Sequence, residues 1–255
     1  MAIDEVFPNP TVKQVIFQIR YPNLFFLESK IGELQMRIME IFPDSALIFK
    51  RQLFITEVGP EVTADQIQEK LPQEQGQKFW QFSSPKGYTL SVHTNSLDIT
   101  SNFHKTYNNP TSADRFRDVI ETTISAFLSI TNLPQIKRIG LRYIDECVFD
   151  EKTSKSFLDH FNSCLNTSRF PIENSIDNHY KATVKKGIYF MRFMETYESQ
   201  LQTPVLKLDF DGFANDIRSD SYLSTTDDLH RLISDEYESS IKEPVISKMR
   251  MEEKI

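Results

Sequence analysis

The sequence VIFQIRYP, at residues 15–22, decides the fold because KRIGLRYI, at residues 137–144, repeats its pattern. Both stretches are rich in β-branched and aromatic residues, a composition typical of β-strands. Pro22 closes the first stretch and Pro134 precedes the second, as expected for prolines at strand limits. Aligned without gaps, the stretches match at four positions: Phe17 with Ile139, Ile19 with Leu141, Arg20 with Arg142 and Tyr21 with Tyr143.

Two helical segments match each other at nearly the same offset as the two strands. Residues 116–128 and 229–241 each carry apolar side chains at the spacing of one helix face. In both cases the helix closes a strand–helix–strands segment. The sequence therefore predicts two fused copies of one α+β unit, at about residues 8–134 and 135–250.

The remaining segments fit the same strand–helix–strands–helix order. Apolar residues between 24 and 41 recur at helical spacing, and Pro43 ends this helix. The turn-forming stretch 84–87 joins residues 78–82 to 88–94 as a β-hairpin. Further strands are predicted at 46–58, 135–145, 180–197 and 204–212. Further helices are predicted at 63–71, from 108–112 to 132, at 153–165, and from a cap at Thr225 onward. In the helix at 153–165, the apolar residues expected to point inward are Phe157, Leu158, Phe161 and Leu165.

The junction between the two units, residues 132–134, is a turn and not a flexible linker. We therefore expect a single domain over residues 1–255. Two such units remove two exposed edges if their sheets join edge to edge about a pseudo-dyad. The predicted fold class is α+β: a mostly antiparallel sheet with helices packed on one face.

Composition and charge narrow the classes of function. The chain of 255 residues has a formal net charge of −7, which makes nucleic-acid binding through a broad basic surface unlikely. Its two cysteines exclude a disulfide framework and a cysteine-only zinc site. The N-terminal segment is acidic, and no apolar run is long enough for a signal peptide or a membrane span. We expect a cytoplasmic protein with no membrane partner.

Charged residues on the strands form the strongest candidate site. Strand alternation places Arg20 and Arg142 on the more polar face, at equivalent positions of the two units, and Asp209 and Asp211 share one face of their own strand. One interpretation is structural, with bidentate Arg–Asp pairs across the sheet. The other is an anion-binding groove along the pseudo-dyad, which needs an arginine without a carboxylate partner.

His93 and Asp98 complete a set of six candidate ligand- or partner-binding residues with Arg20, Arg142, Asp209 and Asp211. The usual zinc spacings, phosphate-binding glycine loops and nucleophile motifs do not occur, so neither a metal nor another cofactor is predicted. The strand 188–194 is apolar on both faces, which suits either a covered central strand or an interaction surface.

Two hypotheses of function follow. The leading one is a non-enzymatic binding protein that presents a sheet face or groove to a protein partner or to a second copy of itself. The alternative is a hydrolase or transferase with a non-standard site, formed by the six candidate residues in a groove between the halves.

Three segments resemble a family of sporadically distributed bacterial and archaeal proteins of about this length. They are PNPTVKQVIFQIRYP at residues 8–22, RIGLRYID at 138–145 and LHRLISDEYESSIKEPVISKMR at 229–250. The family has no known function, so the resemblance implies a fold and no catalytic residue. Its sporadic distribution implies, as a hypothesis, a component of a toxin–antitoxin or phage-defence system.

Overall fold

Nine strands form one sheet in the computed structural model of the chain, which describes residues 6–50, 77–198 and 203–251. The sheet order is β2-β3-β4-β5-β1-β6-β9-β8-β7, and every neighbouring pair is antiparallel. The strands are β1 Val12–Arg20, β2 Asp44–Lys50, β3 Gln77–Ser83, β4 Tyr88–Val92, β5 Ser96–Ser101, β6 Gln135–Val148, β7 Asp177–Lys186, β8 Tyr189–Glu198 and β9 Val205–Arg218.

The helices pack on one side of this sheet, which confirms the predicted α+β class. The ring of Tyr21, just after β1, lies 5.0 Å from the ring of Phe127 in a helix. A Cβ atom added to Gly212 of β9 would lie 3.2 Å from the Ile233 side chain of another helix, so the helix packs closely on the strand at this glycine. The helices are α1 Leu27–Ile38, α2 Phe116–Thr131, α3 Ser154–His160, α4 Tyr222–Ser240 and α5 Glu243–Arg250.

Alternation along the strands separates a helix face from an open face. On β1, Val15, Phe17 and Ile19 are buried beneath the helices, as the sequence predicts. The intervening side chains point to the opposite side, which no described helix covers. This open face carries Gln18 and Arg20 of β1, Arg138 and Arg142 of β6, and Asp209 and Asp211 of β9.

The strand order is similar on the two sides of the central β1–β6 pair. Gln18 lies opposite Gly140, its own equivalent when residues 15–22 align with 137–144, so the register is compatible with a two-fold axis at this pair. The last strand of each predicted unit, β5 or β9, flanks the first strand of the same unit. The edge strand β2 has no counterpart among the described strands of the second unit. The duplication itself and the domain boundaries stay predictions.

Several element boundaries differ from the predicted ones. The segment 180–197 is two strands, β7 and β8, because Gly187 adopts a φ of 64° and turns the chain. The helix predicted at 153–165 ends at His160, and Leu158 points outward instead of inward. The α4 helix begins a turn before Thr225, and the Thr226 hydroxyl donates to the Tyr222 carbonyl within it. Similarly, α2 begins at Phe116 and not at 108–112.

Two predictions fall outside the described residues. They are the helix at 63–71 and the part of the predicted strand 46–58 that follows β2. Among the helices that are described, none combines the length and the apolar character needed to cross a membrane.

Candidate functional site

The six residues predicted as a site all lie on or beside the open face, in two groups that Gln18 and Arg138 connect, since Arg138 donates both to Gln18 at 3.2 Å and to Asp211. His93, Asp98 and Arg20 lie on the β5–β1 side, whereas Asp209 and Asp211 lie on β9. Because β1 and β6 separate β5 from β9, Asp98 and Asp211 are at least about 14 Å apart. The six residues therefore do not converge on one point, and the hydrolase or transferase hypothesis stays a prediction.

Arg142 forms the predicted bidentate pair with a carboxylate. Its Nε donates to Asp209 Oδ1 at 2.7 Å and its Nη2 donates to Oδ2 at 2.5 Å. The hydrogen bonds from Arg142 raise the pKa of its guanidinium. The structural interpretation is thus confirmed for Arg142, although its side chain remains 41% exposed while that of Asp209 is 9% exposed.

A second pair, between Arg138 and Asp211, is more deeply buried and was not predicted. Arg138 Nη2 donates to both carboxylate oxygens of Asp211, at 3.0 and 3.1 Å. The guanidinium also lies over the Phe213 ring, 4.5 Å from its centroid. Burial lowers the pKa of Arg138, against the opposing effect of Asp211. Arg192 approaches the same carboxylate at 3.5 Å.

Arg20, the predicted equivalent of Arg142, has a different environment. Its Nε donates to Gln18 at 2.9 Å, and the amide of Gln18 donates to Asp98. Arg20 lies opposite Ser96 of β5 and Arg138 of β6, whereas Arg142 lies opposite Ile16 of β1 and Asp211 of β9, so the two arginines are not equivalent in charge surroundings. Burial raises the pKa of Asp98, and His93, stacked on Phe79 at 4.6 Å, opposes that shift.

A cavity of about 740 Å³ lies on the helix face between the two halves. The start of β1 and the segment 105–111 form the side from the first half. The second half contributes β6, α4 and α5. The lining mixes aromatic rings with polar groups, among them Lys105, Tyr107, Tyr143, Asp145, Asp227, His230, Ser234 and Tyr237.

Asp145 is the buried carboxyl group of this cavity, with 5% of its surface exposed. Thr11 Oγ1 donates to its Oδ1 at 2.8 Å. Because the single Thr11 proton is used in this bond, the Tyr237 hydroxyl, 2.6 Å from Thr11 Oγ1, must be the donor to Thr11. Burial raises the pKa of Asp145 from 3.8 to about 7, with Thr11 and Lys105 opposing the shift.

The opposite wall of the cavity is held by a second set of polar contacts. Tyr107 donates to Asp227 Oδ1 at 2.7 Å, and Arg117 donates to both oxygens of Asp227, at 2.8 and 3.0 Å. The His230 ring stacks on Tyr107 with centroids 4.3 Å apart. Its Nδ1 lies 3.4 Å from the Tyr143 hydroxyl. These contacts fix the rings that line the cavity.

Sequence reasoning missed the cavity, although one signal for it was present. Asp145 follows Ile139, Leu141 and Tyr143 at the spacing of one strand face, so an acidic residue occupies an apolar position. A carboxyl on a buried face needs a partner or a ligand. The other lining residues come together only through tertiary structure.

We find no protein-family model and no curated protein that matches the chain. The resemblance to the sporadically distributed family therefore stays a prediction. Within residues 6–50, 77–198 and 203–251, no three His, Cys, Asp or Glu side chains are close enough together to hold a metal ion.

Proposed function

We propose that this protein is a non-enzymatic binding protein and that the cavity between its halves holds a small-molecule ligand. The observation that carries the proposal is the buried carboxyl of Asp145 at a cavity of about 740 Å³. Ligand cavities are typically about 300–1,000 Å³ in volume, apolar for the most part, with a few convergent polar groups. A raised carboxyl pKa in such a cavity further supports a binding role.

The lining favours a ligand with an aromatic body. Tyr107, Tyr143, Tyr237 and His230 supply rings from three different elements, and their hydroxyl or ring nitrogen atoms are engaged within the protein. The rings are thereby held in place before a ligand enters, which lowers the entropic cost of binding.

A binding screen with a blocked variant tests this proposal. Ligand-observed NMR would record the binding of a panel of small compounds with amine, alcohol and carboxylate groups. Ser234 lines the cavity, so Ser234→Trp should abolish the binding of the compounds that the wild type binds. Ser224→Trp, at an exposed position of the same helix, should retain it. A panel without a single binder, or binders unaffected by Ser234→Trp, would contradict the proposal.

A second candidate, binding to a protein partner or to a second copy, is supported by an exposed stripe along α1. Met36 of α1 and Met39, the helical cap residue just after it, are 70% and 55% exposed at the spacing of one helix side, and Phe25, two residues before α1, is 87% exposed. Gly32 lies between them, and no atom lies within 4 Å of the position of an added Cβ. An apolar stripe with a small residue at its centre allows another helix to approach closely.

Sedimentation velocity tests the self-association form of this second candidate. We expect the wild type to associate as its concentration rises, and Met36→Lys to remain monomeric. Met251→Lys, at another exposed methionine, is the matched control and should behave as the wild type. A wild type that sediments as a monomer at every concentration would contradict self-association and leave only a different partner.

The role in a toxin–antitoxin or phage-defence system stays a separate proposal, supported only by the family resemblance. Gene neighbourhood tests it. Recurrent neighbours with nuclease, toxin or phage-related functions would support it, and housekeeping metabolic neighbours throughout would contradict it.

A further inference from the structure

The Asp145 carboxyl is only partly satisfied by the protein. Among the described residues it accepts one hydrogen bond, from Thr11 to Oδ1. It forms no ion pair with a described lysine, arginine or histidine, although a carboxylate has room for about four hydrogen bonds. Because the residue lines the cavity and is 5% exposed, the unsatisfied oxygen is available to a bound molecule and largely shielded from bulk water.

The other charged groups of the cavity already have partners. Asp227 is held by Arg117 and Tyr107. Arg231 pairs with Asp228 at 3.1 Å. Thus Asp145 is the ionisable group with the most capacity left for a ligand.

Lys105 is the one described cation whose charge acts on Asp145, and it does not neutralise it by contact. Its Nζ donates to the Val12 carbonyl at 2.8 Å, and no ion pair joins it to the carboxylate. The remaining ionisable groups that act on or beside Asp145 are neutral or acidic: Tyr143, Cys147, Asp209 and Tyr237. A ligand cation would therefore meet an uncompensated negative charge.

We propose that the cavity takes a ligand with a protonated amine, whose ammonium group pairs with the Asp145 carboxylate. This inference rests on the proposed function. The surrounding rings of Tyr107, Tyr143 and Tyr237 suit such a ligand in two ways. They pack against an aromatic body, and their faces attract a cation.

Three probes that differ only in their head group test the inference: tryptamine, tryptophol and indole-3-propionate. Isothermal titration calorimetry at pH 8, where Asp145 is mostly ionised and tryptamine is protonated, gives their affinities for the full chain. We expect tryptamine to bind about ten-fold tighter than tryptophol, and indole-3-propionate to bind weakest. This comparison is made on the wild type and needs no variant to fold.

Two variants locate the effect. Asp145→Asn should bind tryptamine and tryptophol equally. Asp98→Asn, which changes a carboxyl on the open face whose pKa burial also raises, should keep the preference for the amine. Equal affinities on the wild type, or a preference for tryptophol or indole-3-propionate, would overturn the inference, as would no binding of any probe. If the amine preference is absent but Ser234→Trp still abolishes the binding of compounds from the NMR panel, only the inference fails and the proposed function stands. If no compound of the panel binds, the inference and the proposed function both fail.

Discussion

Asp145 and Asp211 lie on neighbouring strands of one sheet but on its opposite faces, and their carboxyl groups are accommodated in opposite ways. On the open face, Asp211 accepts two hydrogen bonds from Arg138 and is approached by Arg192. On the helix face, Asp145 accepts one bond from a neutral hydroxyl and has no cation in contact. An aspartate is thus fully paired in a salt bridge on the open face, whereas on the helix face it can still accept further hydrogen bonds.

The difference shows which buried charges the fold requires. A paired carboxylate that loses its cation leaves an uncompensated charge, so such pairs are maintained for stability. An unpaired buried carboxyl reduces stability whenever it is ionised. A protein keeps such a group against that cost most readily where a ligand compensates it, which is the reason to place the binding site on the helix face.

The largest expected effect concerns the pH dependence of stability at Asp145. Its pKa is raised from 3.8 to about 7, so the folded state holds the proton more tightly than the unfolded state. This contribution is present below pH 3.8 and is lost as the pH rises through about 7. Relative to Asp145→Asn, the wild type should lose up to about 4 kcal/mol of unfolding free energy between pH 4 and pH 8.5.

Urea denaturation at a series of pH values measures that difference. The control is Asp159→Asn, at an exposed position of α3, whose profile should run parallel to that of the wild type. A constant difference between the wild type and Asp145→Asn across the range would mean that Asp145 is compensated in the folded protein. The contrast between an uncompensated Asp145 on the helix face and a paired Asp211 on the open face would then not hold.

His104, also buried on the helix face, should produce the opposite slope. Burial beside Tyr88 and Phe116 lowers its pKa from 6.5 to about 4, so the unfolded state binds the proton more tightly. Its contribution is present above pH 6.5 and is lost as the pH falls through about 4. Against His104→Gln, the wild type should lose about 3 kcal/mol between pH 7 and pH 3.5, measured by urea denaturation. If the pH profiles of the wild type and His104→Gln ran parallel, His104 would not be a cause of the protein's loss of stability in acid.

On the open face, removing the charge of Asp211 should lower the free energy of unfolding. Asp211→Asn leaves Arg138 among the guanidinium groups of Arg20 and Arg192, and we expect a loss of about 2–3 kcal/mol, because the pair is not fully buried. The double variant Arg138→Met/Asp211→Leu should recover most of that loss. If the double variant were less stable than Asp211→Asn, the pair would contribute more to stability than the compensation of its two charges.

The smallest effect separates the two arginines that the sequence treats as equivalent. Arg142→Met should lower the unfolding free energy by about 1 kcal/mol, because the exposed guanidinium is screened by water while Asp209 is buried. Arg20→Met should change it by less than about 0.5 kcal/mol, since the lost bond to Gln18 and attraction to Asp98 are offset by the lost repulsion with Arg138. Thermal denaturation of both variants measures the difference. Equal losses would show that the two arginines contribute equally to stability, although their contacts differ.

Short-range patterns in the sequence predicted most of the strands and helices. Alternation predicted the helix face of β1 and β6, and the polar positions predicted arginine–aspartate pairs across the sheet, one of which Arg142 and Asp209 form. The hairpin at Gly187 was missed because aromatic and aliphatic residues continue on both sides of the glycine, so the period-two pattern conceals the turn. The end of α3 was missed because Phe161 and Leu165 remain buried after the helix has stopped.

The cavity could not be predicted in the same way. The donor to Asp145 comes from Thr11, and the ring of Tyr107 meets His230 across more than a hundred residues of chain. Such contacts depend on how the halves pack, which no local pattern records. Only the acidic residue at an apolar strand position pointed to the site.

The central place of β1 has a consequence for synthesis on the ribosome. The strand is made before the other described strands, yet it pairs with β5 on one side and with β6, which ends at Val148, on the other. Until β6 emerges, one row of β1 backbone N–H and C=O groups has no native partner. A neighbouring nascent chain on the same message can offer its own β6 to that row, so we expect crowded translation to yield some exchanged dimers.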